Sequence, residues 1–138
     1  MCNAAKIFTD YLNIKGVKYL VDGEDIVRIT YTGENCPSIT VNFIFDDEGR
    51  DVAIRSYSLA KVDKSDSVKY SKACQLCSTL NYEYRWIKFY LDKDDEITAA
   101  DDAIIDPYTT GEECFKLLLR AIAIIDKSYP EVMKMLWG

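Results

Sequence analysis

Histidine is absent from this sequence of 138 residues. Because histidine is the commonest general base of enzymes and a frequent metal ligand, its absence excludes Ser-His-Asp and Cys-His nucleophile systems and histidine-ligated metal sites. No other set of side chains forms a convincing catalytic constellation. We therefore expect a protein that is not an enzyme, with no catalytic residue, no cofactor and no bound metal.

Long hydrophobic runs are also missing. No segment reaches the roughly 18 consecutive apolar residues that span a bilayer, and residues 1–6 lack the apolar core of a secretory signal. Cysteine occurs in an odd number among apolar neighbours, which is typical of buried free thiols in a reducing compartment. These features predict a cytoplasmic protein, with free thiols at Cys2, Cys36, Cys74, Cys77 and Cys114.

The chain has too few basic residues to favour binding to an anionic partner. The chain has 17 Lys and Arg against 23 Asp and Glu, which gives a formal net charge of −6. The charges are spread along the chain, without a basic tail or stripe. Since nucleic acids and anionic membranes are bound mainly through Lys and Arg, we expect neither as a partner.

The hydrophobic periodicity predicts a mixed fold in one domain over residues 1–138. Consecutive strands with segregated helices indicate the α+β class, an antiparallel sheet of about five to six strands with helices packed on it. Helices are expected at Asn3–Lys15, Asp66–Asn81 and Gly111–Asp126, with a separate short helix from Ser128. Strands are expected near Tyr19–Val21, Ile26–Tyr31, Ile39–Phe45, Val52–Tyr57, Arg85–Asp92 and up to about Asp106.

The third predicted helix is unusually apolar. With residues placed at 100° intervals, its apolar side chains span roughly 220°, whereas covering one sheet face needs only about 100°. The surplus must be buried by another helix of the same chain or by a second copy. The second possibility predicts a homodimer.

Cys74 and Cys77 form a CxxC motif within the second predicted helix. They lie on the same face as Tyr70, Ala73 and Leu80, and not at a helix start next to a strand. Two small buried hydrophobic residues are therefore a better interpretation than redox or zinc chemistry.

Asp92, Asp94 and Glu96 have the spacing of a calcium-binding loop. The required Gly is missing, and Ala103 stands where the closing Glu would be. A solvated hairpin tip is the better interpretation.

The predicted strand Arg85–Asp92 alternates two kinds of side chain. Alternation would place Trp86, Lys88 and Tyr90 on one face and the apolar residues on the other. The first face is either an outer surface half covered by a helix or loop, or an aromatic platform for a peptide or a second subunit, because Trp, Tyr and Arg favour interfaces. The candidate partner-binding residues are Arg85, Trp86, Lys88 and Tyr90.

Asp101 and Asp102 lie on the next predicted strand. Successive strand residues point to opposite faces, so these two carboxylates cannot act as a pair. One of them is placed to face Arg85 or Lys88 across the hairpin.

The segment 77–92 resembles the central signature of the bacterial YbjN family, and the order of elements agrees over nearly the whole chain. The matching features are Asn81, Arg85-Trp86, Lys88, Tyr90-x-Asp92 before an acidic turn, and the later Leu-rich helix. Family members commonly have Gly in that turn, whereas residues 93–96 have none. The resemblance implies a fold similar to type III secretion chaperones. It also implies a small dimeric protein-binding or regulatory module, sometimes labelled a sensory transduction regulator, without a catalytic residue.

Our leading hypothesis is a cytoplasmic, noncatalytic module that binds a protein or peptide and forms a homodimer. The alternative is a small-molecule sensor or enzyme with a pocket between helices and sheet, which requires a cavity lined by converging polar groups. A structural role inside a larger assembly is a third possibility.

Overall fold

A computed structural model describes residues 2–138 of the chain. The elements follow in the order α1 (Asn3–Lys15), β1 (Leu20–Asp22), β2 (Ile26–Tyr31), β3 (Ile39–Phe45), β4 (Asp51–Lys61), α2 (Ser67–Glu83), β5 (Lys88–Leu91), β6 (Glu96–Ile104) and α3 (Thr110–Trp137). All strands join one antiparallel sheet in the order β1-β2-β3-β4-β6-β5. The predicted α+β class and the six-stranded antiparallel sheet are confirmed.

The sheet has one face covered by helices, which we call the inner face. Most of its apolar side chains are at most 3% exposed, because α1, α2 and α3 pack on them. The ring of Phe8 on α1, for example, lies with its centroid 4.6 Å from that of Phe43 on β3. Burying one such side chain stabilises the fold by about 1.5–3 kcal/mol. The buried inner-face residues include Val27, Ile29, Val41, Phe43, Phe45, Val52, Ile54, Phe89, Ile97 and Ala99.

The prediction of a separate short helix from Ser128 is wrong, because α3 continues without a break to Trp137. Pro130 lies inside it and has no N–H to donate to the carbonyl of Asp126, four residues earlier. The side chain of Asn35 supplies a replacement donor, with its Nδ2 3.3 Å from the Asp126 carbonyl oxygen. A contact across the fold therefore compensates a bond that the helix itself lacks.

The carboxylate of Asp126 fixes the loop between β2 and β3. It accepts hydrogen bonds from the backbone N–H groups of Glu34, Asn35 and Cys36, at 3.1, 2.9 and 2.8 Å. These donors, that of Cys36 foremost, hold the pKa of Asp126 below its usual range. A side chain at Gly33 would collide with this carboxylate, which accounts for the glycine there. We call this arrangement the Asp126 clasp.

The broad apolar arc of α3 is covered mainly by the chain's own helices. On one side, the ring of Phe115 packs against Tyr11 of α1, with centroids 5.6 Å apart. On the other side α2 packs along α3, and Lys69 donates to the carbonyl of Leu136. One large apolar side chain between residues 114 and 125, that of Leu119, remains exposed to solvent, at 52%. The arc therefore does not require a second copy.

Candidate partner-binding surface

The strand that carries the candidate residues is shorter than predicted. β5 begins at Lys88, so Arg85 and Trp86 precede it, and the predicted shared face of Trp86, Lys88 and Tyr90 is wrong. Trp86 has φ = 75°, and the N–H of Ile87 donates to the carbonyl of Arg85 at 2.8 Å. This three-residue turn, a γ-turn centred on a bulky side chain, is rare and strained.

The γ-turn directs the Trp86 ring toward α3. The guanidinium carbon of Arg120 lies 4.7 Å from the ring centroid, which is a cation–π contact. Trp86 is nevertheless 50% exposed. Leu119, which precedes Arg120 in α3, is exposed to a similar extent. The side chain of Arg85 is exposed as well. We call Arg85, Trp86 and Arg120 the Trp86 surface.

Lys88 and Tyr90 have different surroundings. The ammonium group of Lys88 donates to the carbonyls of Asn81 and Tyr84, at 2.9 and 2.8 Å, and so satisfies the C-terminal end of α2. Tyr90 is partly exposed on the uncovered face of the sheet and lies opposite Thr98 of β6. The structure thus separates the four candidate residues into a surface residue pair, a helix-end contact and a sheet-face residue.

Asn81 has a role that the sequence did not reveal. Its Oδ1 accepts from the N–H of Phe89 at 2.7 Å, and its Nδ2 donates to the carbonyl of the same residue at 3.0 Å. A side-chain amide thereby makes both hydrogen bonds that a neighbouring strand would make to Phe89 of β5. The only signal in the sequence was the place of Asn81 in the family signature.

The uncovered side of the sheet, which we call the outer face, mixes apolar and charged side chains. One row across the strands runs from Arg28 through Asn42, Arg55 and Ala100 to Lys88. The next row runs from Asp22 through Ile26, Ile44 and Ala53 to Asp102. Its isoleucines are only half-buried, so this face retains apolar surface in contact with water.

Asp102 pairs with a different cation from those predicted. Arg55 on β4 contacts it at 2.9 Å, so the expected pairing with Arg85 or Lys88 is wrong. Asp101 points to the inner face beside Ile54, as predicted from alternation, and burial raises its pKa. Its Oδ2 is buried without a hydrogen-bond partner among residues 2–138. The two carboxylates therefore do not meet.

The two cysteines of the CxxC motif differ in exposure. Cys77 is buried, as predicted, and this raises its pKa to about 11, so its thiolate is scarce near neutral pH. Cys74 is exposed, which corrects the expectation that both would be buried. All five cysteines are free thiols.

The acidic hairpin between β5 and β6 is organised by Asp92. Its Oδ1 accepts from the N–H groups of Asp94 and Glu96, and its Oδ2 accepts from the hydroxyl of Thr98. Asp95 has φ = 60°, so an aspartate occupies the left-handed position that glycine commonly takes. Over residues 2–138, no three side chains of ligand type come together as a metal site would require.

A cleft of about 240 Å³ opens where β3 and β4 separate beside a bulge in β4. Its lining includes Cys36, Ser38, Ser56 and Tyr129. Ligand pockets usually have volumes of about 300–1,000 Å³. This cleft between helix and sheet is therefore small for a ligand site.

Comparison with protein families places this arrangement in a known group. The family model of YbjN, described as "Putative bacterial sensory transduction regulator", matches residues 6–133. The chain belongs to the YbjN family. Comparisons with curated proteins and with solved structures found no match. The likeness of this YbjN fold to type III secretion chaperones therefore stays a prediction.

No helix within residues 2–138 combines the length and the hydropathy needed to cross a membrane.

Proposed function

We propose that this YbjN protein is a noncatalytic, cytoplasmic regulatory module that binds a partner protein or peptide through the Trp86 surface. The strained γ-turn is the observation that carries the proposal. Backbone strain of this kind costs on the order of 1–3 kcal/mol and tends to occur at functional sites. Family membership is consistent with a regulatory role.

The composition of the Trp86 surface supports binding of a protein. Trp and Arg are enriched among the residues that dominate interface energies, and here Trp86 and Arg120 are stacked and exposed. Among the described residues, neither Arg85 nor Arg120 forms a salt bridge. Two unpaired guanidinium groups on a chain of net charge −6 favour a partner that presents carboxylates.

Affinity capture from the host with matched baits tests this proposal. We expect a partner that is enriched by the wild-type protein and by Tyr108→Ala, a control at an even more exposed aromatic residue, and that is reduced about tenfold or more by Trp86→Ala. Circular dichroism would establish that the variants are folded. If Trp86→Ala captures the same proteins in the same amounts as the wild type, the Trp86 surface is not the binding site.

We further propose that the module forms a homodimer through the outer face. Six strands about 4.8 Å apart and about 20 Å long present roughly 600 Å² in each copy. Two such faces would bury about 1,200 Å², the lower end of the range for specific interfaces. The row of half-buried isoleucines and the ion pairs around it supply both apolar and polar contacts.

Analytical ultracentrifugation tests the homodimer. We expect the wild type to sediment as a dimer and Ile44→Lys as a monomer, whereas Val68→Lys, an exposed position on α2, leaves the dimer intact. A wild-type monomer at all accessible concentrations would contradict the proposal.

A further inference from the structure

The edge of the sheet at β1 is incomplete. β1 pairs with β2 only as far as Leu20 opposite Arg28, while β2 continues to Tyr31. The N–H of Phe45 donates to the carbonyl of Asp25, so the odd-numbered residues along β2 direct their backbone groups to β3. The even-numbered ones point the other way, and Thr30 therefore directs its N–H and C=O to the side where β1 has already ended.

The segment between α1 and β1 turns away from this edge because the C-terminal end of α1 holds that segment in place. Gly16 has φ = 72° and closes α1, and the N–H of Val17 donates to the carbonyl of Leu12 at 3.0 Å. Residues 17–19 are thereby turned toward the helix and make no strand pairing with β2. Within residues 2–138, no other backbone group donates to or accepts from Thr30 on this side.

The space between α1 and the free part of β2 is a groove of about 690 Å³. This volume lies in the range of sites that bind drug-sized ligands or short peptide segments. Two cations and no carboxylate line it, although the chain as a whole carries −6. Arg28 is already paired with Asp22 at 3.1 Å, whereas Lys18 forms no salt bridge within residues 2–138. The lining residues are Asn13, Gly16, Val17, Lys18, Tyr19, Leu20, Arg28 and Thr30.

We propose that this groove accepts an extended segment of a partner protein that alternates acidic and apolar side chains. The backbone of the segment would pair with Thr30 and continue the sheet where β1 stops, since an unpaired strand edge is completed by another strand. Its acidic side chains would meet Lys18, the groove cation that has no carboxylate partner within residues 2–138. Its apolar side chains would lie against Val17, Tyr19 and Leu20.

This site lies at the opposite edge of the sheet from the Trp86 surface. It goes beyond the proposed function, because it needs neither the Trp86 surface nor the isoleucine row of the outer face, and it shares only Arg28 with the outer-face contacts proposed for the dimer. Each can fail while the other stands.

Peptide binding measured by fluorescence anisotropy, with mapping by NMR, tests the proposal. The probe is a fluorescein-labelled peptide of eight alternating Glu and Val residues, and the control peptide replaces Glu with Lys. We expect the Glu-Val peptide to bind more tightly than the Lys-Val peptide. Its amide shift changes should be confined to residues 13–20 and 28–31.

Two variants separate backbone pairing from charge. Thr30→Pro removes the outward N–H without removing a bond to β3 and should weaken binding about fivefold, the equivalent of one hydrogen bond. Thr30→Val, which keeps the N–H, should bind like the wild type. Lys18→Glu should reverse the preference between the two peptides.

Several results would overturn the proposal. They are no binding of the Glu-Val peptide at millimolar concentration, equal binding of both peptides, or shift changes at the outer-face residues of β3, β4 and β6 or around Trp86. Self-association of the wild type that Thr30→Pro abolishes without any peptide would assign the edge to a second copy instead. If Thr30→Pro does not fold, Lys18→Glu and the NMR map decide the question.

Discussion

The two edges of the sheet are treated in opposite ways. At the β5 edge, the amide of Asn81 makes both backbone hydrogen bonds of Phe89, and Lys88 ties the strand to the end of α2. At the β1 edge, the first strand has only three residues, and Thr30 of β2 lies beyond it without a strand neighbour on that side. One edge is closed by a side chain, and the other is left open beside a groove.

This difference shows which edge is available to another strand. Exposed strand edges invite pairing with other chains, and proteins commonly block them with short strands, charges or covering segments. A blocked β5 edge leaves partner binding there to side chains, as on the Trp86 surface. An open β1 edge allows a partner to bind through its backbone.

The largest effect on stability is expected when the Asn81 side chain is removed from the β5 edge. We expect Asn81→Ala to lower the free energy of unfolding by about 2–3 kcal/mol, because two partly buried backbone groups of Phe89 lose their partners. Asn81→Asp should fall between the alanine variant and the wild type, since it can accept from the N–H but cannot donate to the carbonyl. Urea denaturation measures both, with Asn13→Ala as an exposed control. A loss below about 0.5 kcal/mol for Asn81→Ala would show that the amide does not close the edge.

The Asp126 clasp holds the loop that follows the open part of β2, and Asp126→Asn should destabilise the protein at neutral pH. Because the folded-state pKa is lowered, the contribution of the carboxylate is present above the unfolded pKa of about 4 and is lost as the pH falls through the folded value. The stability difference between wild type and variant should therefore shrink below about pH 4. Thermal unfolding from pH 7 to pH 3 measures it. A difference that does not change with pH would mean that the charge of Asp126 contributes nothing.

The rates at which Cys74 and Cys77 react with a thiol reagent should also depend on the packing at the β5 edge, although the expected effect is smaller. Cys74 and Cys77 line the cleft beside Asn81 and Phe89, and only Cys77 is buried. We expect a thiol reagent at pH 8 to modify Cys74 readily and Cys77 slowly, because the pKa of Cys77 is about 11. Asn81→Ala should accelerate the labelling of Cys77, detected by peptide mass spectrometry. Equal rates at the two thiols in the wild type would contradict the packing of α2.

Local patterns were sufficient to predict much of the fold. The bounds of α1, β2 and β3 follow from hydrophobic periodicity and from turn residues such as Gly16. The continuation of α3 through Pro130 could not be predicted, because Asn35 supplies the compensating contact from 91 residues away. The sequence also could not show that α1 and α2 bury the two sides of the apolar arc of α3. Hydrophobic periodicity does not identify which element packs on which.

The candidate surface was harder to predict than the fold. Alternation along residues 85–92 assumed an extended backbone, and the positive φ of Trp86 breaks that assumption. Arg120 comes to Trp86 from a distant helix, so no spacing in the sequence connects them. The role of Asn81 depends on how α2 lies against β5, which is a tertiary property.

Hydrogen exchange of two backbone amides tests the contrast between the edges most directly. We expect the N–H of Phe89 to exchange slowly, because Asn81 accepts from it, and the N–H of Thr30 to exchange almost as fast as in an unstructured peptide. NMR in deuterated water gives both rates from one sample. A Thr30 amide as well protected as that of Phe89, or a Phe89 amide without protection, would contradict an open β1 edge and a closed β5 edge.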